Sequence, residues 1–270
     1  MRRSKSFCIE EYEMRFRNLP KEFDGVTILF LSDLHNVEYG VDHAELLEAV
    51  RTQKPDWVFA GGDMVVGKPG FTAETAKKLM EALAKEHKVI CANGNHEYRM
   101  KLYTEVYGTE YEDYKRALQE AGICYLENGS TKLYKDGAAI TVTGLELDRH
   151  YYQRGKKQPM DASYLLETIG EKEKGFQILL AHNPLYLPEY ARWGADLILS
   201  GHNHGGLIRL PLLGGLVSPQ MRFFPKYDAG YYRIKASQAV ISRGLGMHTF
   251  PIRIGNRPEL SKIILKKKRK

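Results

Sequence analysis

Short, continuous apolar runs recur along this chain, and several of them end directly at polar segments. These runs are 26–31, 57–60, 89–92, 178–181 and 197–199. Each is short and lacks the alternation of a half-exposed strand, so each predicts a strand that is buried on both faces. Buried strands of this kind are typical of sheets whose faces are covered by helices.

Segments with apolar residues at helical spacing separate the runs, so strands and helices alternate along the chain. The predicted helices are one capped by Asp42, one over 72–86, one over about 111–121 that is closed by Gly122, and one opened by Asp161. After His204 the helical pattern ends, and 231–234, 239–242 and 260–265 predict further strands. We therefore expect an α/β fold with two packed sheets and helices outside them.

The chain contains no segment that would act as a linker. The expected division is an N-terminal edge segment over 1–24, a single domain over 25–265 and a basic tail over 266–270. Three widely spaced cysteines argue against a disulfide framework and fit a reducing compartment. Since no apolar run approaches the roughly 20 residues of a membrane-spanning helix, the sequence predicts a soluble, cytoplasmic protein.

The net charge of +7 is not spread evenly but is high at both ends of the chain. These ends are interpreted either as solvated termini or as a peripheral contact with an anionic membrane, to which each Lys or Arg contributes about 1 kcal/mol. Specific nucleic-acid binding is not expected, because no basic strand or helix carries interleaved aromatic residues. Arg2 and Arg3 hint at an export signal, but no apolar core follows them.

Side chains that bind divalent metals follow the predicted strands at the points where those strands end. They are Asp33 and His35 after 26–31, Asp63 after 57–60, Asn95 with His96 after 89–92, His182 after 178–181, and His202 and His204 after 197–199. A period of two predicts that Asp33 and His35 share one face of an extended segment. Polar residues at the carboxyl ends of buried strands mark the sites of α/β sheets, so the complete series predicts a metal site.

In these segments the chain resembles the calcineurin-like metallophosphoesterases, and within them the bacterial YkuE/YaeI-like branch. The matching segments are Ser32-Asp33-Leu34-His35, Gly62-Asp63, Gly94-Asn95-His96-Glu97, His182, Gly201 to Gly206, Gly244-Leu245-Gly246, Pro251-Ile252-Arg253 and Arg257-Pro258-Glu259. The resemblance spans about 19–265 and implies a four-layer αββα sandwich, in which two mixed sheets are flanked by helices. Asn203 stands where the family usually has Thr, at a position that is not a ligand.

The resemblance also implies a role for each site residue. It assigns Asp33, His35 and His204 to a first metal, Asn95, His182 and His202 to a second, and Asp63 to both through its two carboxylate oxygens. His96 would contact the phosphate and help to protonate the leaving oxygen, while Glu97 would orient its neighbours. The implied cofactors are two divalent ions (Mn, Fe, Zn, Ni or Co), and a hydroxide that bridges them would attack the phosphate ester.

Several alternatives stay open at this point. A phosphodiesterase or pyrophosphatase acting on a lipid-linked or nucleotide substrate is favoured over a phosphomonoesterase or protein Ser/Thr phosphatase. A non-catalytic scaffold of the same fold is a remote alternative, since such proteins lose ligands and none is missing here. Many relatives carry a membrane helix or export signal before the first strand, and such an upstream segment would make the protein exported or membrane-anchored.

Other polar residues receive weaker predictions. His43 and His87 are predicted at the surface, whereas His150 and His248 could line the substrate cleft. Arg209 and Arg253 could hold a second anionic group, because guanidinium matches phosphate geometry, or could form structural ion pairs. The dense tyrosines between 98 and 114 are attributed to helix packing or, less strongly, to a substrate lid.

Overall fold

Fourteen strands and seven α-helices make up the part of the chain that the computed structural model describes, which is residues 6–153, 155, 157–206, 209–210, 214–215, 224–247 and 253–269. The strands are β1 Cys8–Phe16, β2 Thr27–Leu31, β3 Trp57–Ala60, β4 Val89–Ala92, β5 Cys124–Leu126, β6 Gly129–Lys135, β7 Ala138–Leu145, β8 Gln177–Ala181, β9 Leu197–Ser200, β10 Arg209–Leu210, β11 Gly214–Gly215, β12 Gly230–Ile234, β13 Ser237–Ile241 and β14 Glu259–Lys267. The helices are α1 Ala44–Gln53, α2 Glu74–Glu86, α3 Asn95–Leu102, α4 Thr104–Tyr107, α5 Glu110–Glu120, α6 Tyr164–Ile169 and α7 Leu187–Trp193.

Two six-stranded mixed sheets form the framework. The first has the strand order β1-β14-β2-β3-β4-β5 and the second the order β12-β13-β9-β8-β7-β6, while β10 and β11 form a separate hairpin. In the first sheet β2, β3, β4 and β5 are parallel, and in the second β13, β9, β8 and β7 are parallel. The carboxyl ends of these parallel strands are where polar side chains collect in such sheets.

Three apolar layers hold the framework together, and they follow from the two-sided burial of the central strands. Residues such as Phe30 of β2 and Leu180 of β8 pack between the two sheets. On the outer face of the first sheet, Leu29 packs with residues of α1, α2 and α5, and on that of the second sheet, Ile198 packs with residues of α6 and α7. The predicted α/β sandwich of two mixed sheets flanked by helices is therefore confirmed.

Most predicted elements are present, and some of their boundaries and caps differ. β3 and β4 have the predicted bounds. Asp42 is not a helix cap: it has a left-handed φ of 49° and precedes α1 in a short 3-10 turn. Asp161 lies before α6 and binds the amide of Ser163 instead of opening the helix itself. Among the described residues, no helix is both long and apolar enough to cross a bilayer.

Candidate metal centre

All eight predicted site residues lie at one end of the sandwich, where the parallel strands of both sheets end. Asp33 and His35 follow β2, Asp63 follows β3, Asn95 and His96 open α3 directly after β4, His182 follows β8, and His202 and His204 follow β9. Seven of the eight are buried, and Asn95 is half-buried. Both sheets thus contribute side chains to a single cluster.

The Asp33 carboxylate is held on one side and faces imidazole rings on the other. Oδ2 accepts hydrogen bonds from Ser32 Oγ at 2.7 Å and from the His202 amide at 3.0 Å, and that amide also reaches Oδ1. Oδ1 lies 3.2 Å from His204 Nε2 and 3.6 Å from His182 Nε2. The donors Ser32 Oγ and the His202 amide therefore fix the carboxylate so that Oδ1 faces the cluster.

Asp63 repeats this arrangement. Its Oδ1 accepts a hydrogen bond from the His96 amide at 2.8 Å. Its Oδ2 lies 3.1 Å from His182 Nε2 and 3.9 Å from Nε2 of both His35 and His96. One carboxylate oxygen of Asp63 is thus tied to the start of α3, and the other lies among three imidazole rings.

Hydrogen bonds made by the remote ring nitrogens fix the tautomers of two histidines. His182 Nδ1 donates to the Gly61 carbonyl at 2.8 Å, so the neutral ring has its lone pair on Nε2, beside Asp63. The Gly67 amide donates to His96 Nδ1 at 2.8 Å, so neutral His96 carries its proton on Nε2. His182 is therefore arranged as a metal ligand, since ligating histidines usually donate their other N–H to a carbonyl or carboxylate. His96 is arranged as a hydrogen-bond donor.

The distances define three overlapping groups that could each hold a cation: Asp33, His35 and His204; Asp63, His182 and His202; and His35, Asp63 and His96. The first two groups consist of residues predicted for the two metal sites. Asn95, predicted for the second site, is not among them because these groups contain only histidines and carboxylates. The third group includes His96, which the sequence places outside the ligands. Its Nε2 proton points to the same conclusion, because a protonated nitrogen has no lone pair to offer.

The electrostatics of the cluster favour ionised carboxylates and lower the pKa of two of its imidazoles. Burial would raise the pKa of Asp63, but the adjacent His182 and His96 hold it well below its usual range. Burial lowers the pKa of His35 and of His96. Burial also opposes protonation of His182, yet the Asp63 and Asp33 carboxylates raise its pKa to about 10. The Asp63 carboxylate and the His182 ring thus stabilise each other's charged forms.

Several candidate ligands have a strained backbone conformation. This finding shows that the expected extended arrangement of Asp33 and His35 was wrong. Five of them have a left-handed φ: Asp33 (51°), His35 (47°), Asp63 (53°), His202 (67°) and His204 (49°). Asp33 and His35 therefore do not share a face of an extended segment; the loop after β2 curls so that both side chains reach the cluster. For residues other than Gly such conformations cost on the order of 1–3 kcal/mol each and gather at functional sites.

Two residues that the sequence left uncertain contact the cluster from outside. The buried Glu97 accepts hydrogen bonds from the amides of Asp63, Met64, Val65 and Gly94. Arg253 donates to the carbonyls of Gly244 and Gly246, and its Nη2 lies 3.2 Å from His204 Nδ1, so its guanidinium packs against a candidate ligand.

Several side predictions have a definite outcome. Arg209 pairs with Asp228 at 2.6 Å, as a structural ion pair would. His43 is buried, not at the surface, because its ring reaches under α2 to the Thr75 carbonyl. His248 lies outside the described residues. Tyr152 was not singled out from the sequence. Its ring centroid lies 5.2 Å from that of His202, because the fold brings the connection between β7 and α6 to the cluster.

The fold and the site together define an α/β protein with a buried Asp–His cluster that is suited to metal ions. The chain belongs to the calcineurin-like phosphoesterase family, whose sequence model matches residues 26–206. The uncharacterized metallophosphoesterase YkuE of Bacillus subtilis (strain 168) is 28% identical over 260 residues, which cover 95% of this chain and 84% of YkuE. The phosphodiesterase YaeI of Escherichia coli (strain K12) is 27% identical over 242 residues, covering 88% and 81%. The predicted resemblance is confirmed.

Two further matches extend the comparison. The Danio rerio transmembrane protein with metallophosphoesterase domain is 28% identical over 268 residues, which cover 96% of this chain and 57% of that protein. Among solved structures, phosphopantetheinyl hydrolase from Mycobacterium tuberculosis superposes with a TM-score of 0.52 at 14% identity, covering 85% of this chain and 91% of the other. At that identity the likeness shows a shared fold.

Proposed function

We propose that this site binds two divalent metal ions and hydrolyses phosphate esters, with phosphodiesters or pyrophosphates as the preferred class. The observation that carries the proposal is the pair of buried carboxylates, Asp33 and Asp63, each held by protein hydrogen-bond donors and each with one oxygen turned toward imidazole nitrogens. Buried ionised carboxylates require a compensating positive charge. Divalent cations provide it and accept mixed nitrogen and oxygen ligands.

The donor atoms fit such ions. The Oδ1 atom of Asn95 is buried and accepts no hydrogen bond from any residue that the structure describes, which leaves an amide oxygen available as a ligand. His182, whose Nδ1 donates to the Gly61 carbonyl, has its Nε2 3.1 Å from Asp63 Oδ2, so these two atoms are close enough to bind one cation. Both features support a site made for positive charge.

In this proposal Asp33, His35 and His204 hold one ion, Asn95, His182 and His202 hold the other, and Asp63 is shared. Asp63 Oδ1 accepts a hydrogen bond from the His96 amide, and Oδ2 is the oxygen that lies among the imidazole rings. When bound, two such ions lower the pKa of water and neutralise charge on phosphate oxygens. The protein holds the ligands and keeps the site largely closed to bulk water.

His96 would act on the phosphate as a neutral donor. The Gly67 amide fixes its proton on Nε2, and burial lowers its pKa, so the ring is uncharged at neutral pH. A neutral ring can donate a hydrogen bond to a phosphate or leaving-group oxygen. Donation from Nε2 therefore supports the predicted phosphate contact more directly than full proton transfer to the leaving oxygen.

The reaction is tested with purified protein whose metal content has been measured. We expect two equivalents of metal, a rise in the thermal unfolding midpoint on metal addition, and a higher kcat/KM for bis-p-nitrophenyl phosphate than for p-nitrophenyl phosphate. Preference for the monoester would instead favour the phosphomonoesterase or protein phosphatase alternative. Two bound metals without cleavage of any ester in a broad panel would favour the non-catalytic scaffold.

Replacing His96 by alanine is expected to lower kcat by about 10²-fold while two metals stay bound. The reason is that the His96 amide, which holds Asp63, is kept, whereas the Nε2 donor is lost. Steady-state kinetics together with metal analysis measure both effects. His87→Ala, at the end of α2, is the control and should match the parent protein. Loss of metal in His96→Ala would place His96 among the ligands.

The basic C-terminal end lies at the opposite end of the sandwich from the cluster. β14 is antiparallel to β2, so Ser261 lies beside Phe30 near the site, and Lys266 and Lys267 lie near the far ends of the strands. At a rise of about 3.4 Å per residue, β14 spans roughly 27 Å. A contact of this end with an anionic membrane stays a proposal, and it would leave the cluster facing away from the lipid.

A further inference from the structure

Glu97 makes more backbone contacts than any helix-capping role requires. It lies in the first turn of α3 and is buried. Its Oε2 accepts from the amides of Asp63 at 2.8 Å and Gly94 at 3.0 Å, and its Oε1 accepts from those of Met64 at 2.8 Å and Val65 at 3.2 Å. Only the Gly94 bond belongs to the cap of α3 itself. The other three reach across to the turn that carries Asp63.

These four amides form an anion-binding hollow in the backbone. Successive N–H groups converge in this way where a left-handed residue reverses the chain, as Asp63 does with a φ of 53°. Such hollows often bind phosphate or other anions, but here the Glu97 carboxylate already fills it. The hollow is therefore part of the support for Asp63.

Two carboxylates join the same pair of segments in opposite directions. Glu97 extends from α3 to the amides of the turn after β3, and Asp63 extends from that turn to the His96 amide of α3. The two bonds to Asp63, one at its amide and one at its Oδ1, fix both the backbone and the carboxylate orientation of this residue. A shift of Glu97 would therefore move Asp63 Oδ2 relative to His182 and His35.

We propose that Glu97 is a positioning residue that sets the place of the shared metal ligand by filling a backbone anion site with its own carboxylate. The consequence for metal binding rests on the proposed function, whereas the anion site itself does not. If the carboxylate is removed, four buried amide donors lose their acceptor. A small free carboxylate should then enter the hollow and restore the arrangement.

The test is chemical rescue of Glu97→Ala. This change removes a CH₂–COO⁻ group, which is close to acetate in size. Relative to the parent protein, we expect Co²⁺ affinity in titration calorimetry to fall about 10–100-fold and kcat to fall with it. Acetate should restore both in a saturable way, and chloride at equal ionic strength should not. The matched control is Glu110→Ala, because Glu110 also binds a backbone amide of the β3–α2 connection, that of Ala73, but lies away from the cluster.

The Co²⁺ affinity of Glu97→Ala, with and without acetate, decides whether Glu97 positions Asp63. Parent-like Co²⁺ affinity in Glu97→Ala, or a loss that acetate leaves unchanged, would overturn the proposal. If the alanine variant does not fold, Glu97→Gln replaces it: its NH₂ group would oppose a backbone N–H, and parent-like affinity there would equally overturn the proposal. If the parent protein binds no Co²⁺, the proposed function fails, yet acetate should still raise the unfolding midpoint of Glu97→Ala and not that of Glu110→Ala.

Discussion

Replacing Asp63 by asparagine is expected to abolish tight binding of both metals and to lower kcat/KM for phosphate esters by at least about 10³-fold. The amide keeps the shape of the side chain and can still accept from the His96 amide through one oxygen. It then presents an NH₂ group, without negative charge, to His182 and His35. A neutral donor group cannot join two cations, so both metal sites lose a ligand at once.

The measurements are metal content after dialysis, calorimetric affinity and steady-state kinetics on a diester. Asp56→Asn is the matched control, since Asp56 precedes the same strand, β3, at its far end and binds the Thr27 amide. It should keep full metal content and activity. Full occupancy with normal turnover in Asp63→Asn would refute the shared-ligand assignment, and loss of only one metal would show that Asp63 serves a single site.

Most strands and the clustering of the candidate site residues were predictable from the sequence because both depend on local signals. A strand that is covered by helices or a second sheet on each face requires a continuous apolar run. The bounds of β3 and β4 coincide with those of the apolar runs. The candidate ligands were found because each follows such a run. The strand order brings the ends of these strands together, so the positions of the polar residues along the sequence predicted that they cluster in space.

The support for the cluster could not be read in the same way. Asp33 and His35 have a left-handed φ, and their amides donate to the carbonyls of Gly62 and Asp63 in a loop that is distant in sequence. The tautomers of His182 and His96 depend on a carbonyl and an amide that only the fold brings near them. His43 carries no pattern that distinguishes a buried imidazole from an exposed one. Each case depends on tertiary contacts and not on residue type.

The glycines beside the ligands show how closely the loops that follow the strands approach one another at the cluster. At Gly94 a Cβ atom would overlap the amide nitrogen and Oδ1 of Asp63, and at Gly201 it would overlap Ser32 Oγ and Asp33 Oδ2. Neither glycine has a left-handed φ. The requirement for glycine at these two positions is therefore space for the carboxylates and not backbone freedom.

We accordingly expect Gly94→Ala to fold but to lose nearly all metal binding and activity. Its kcat/KM should fall by about 10³-fold, close to the effect of Asp63→Asn. Gly94 has a φ of −100°, which alanine adopts readily. The methyl group must therefore displace Asp63 from both the His96 amide and the cluster. Such overpacking costs about 1–3 kcal/mol, less than the 5–15 kcal/mol that typically stabilises a domain.

The control is Gly129→Ala, because Gly129 also lacks a left-handed φ but its nearest neighbour to an added Cβ is the Glu127 carbonyl at 3.9 Å. Circular dichroism, thermal unfolding, Co²⁺ calorimetry and diester kinetics should find Gly129→Ala equal to the parent protein. Gly94→Ala should be folded, slightly less stable and unable to hold metal. If Gly94→Ala bound two metals with parent-like affinity, the position of Asp63 would tolerate displacement, and the tight fit between the β3 turn and α3 would not be what orders the site.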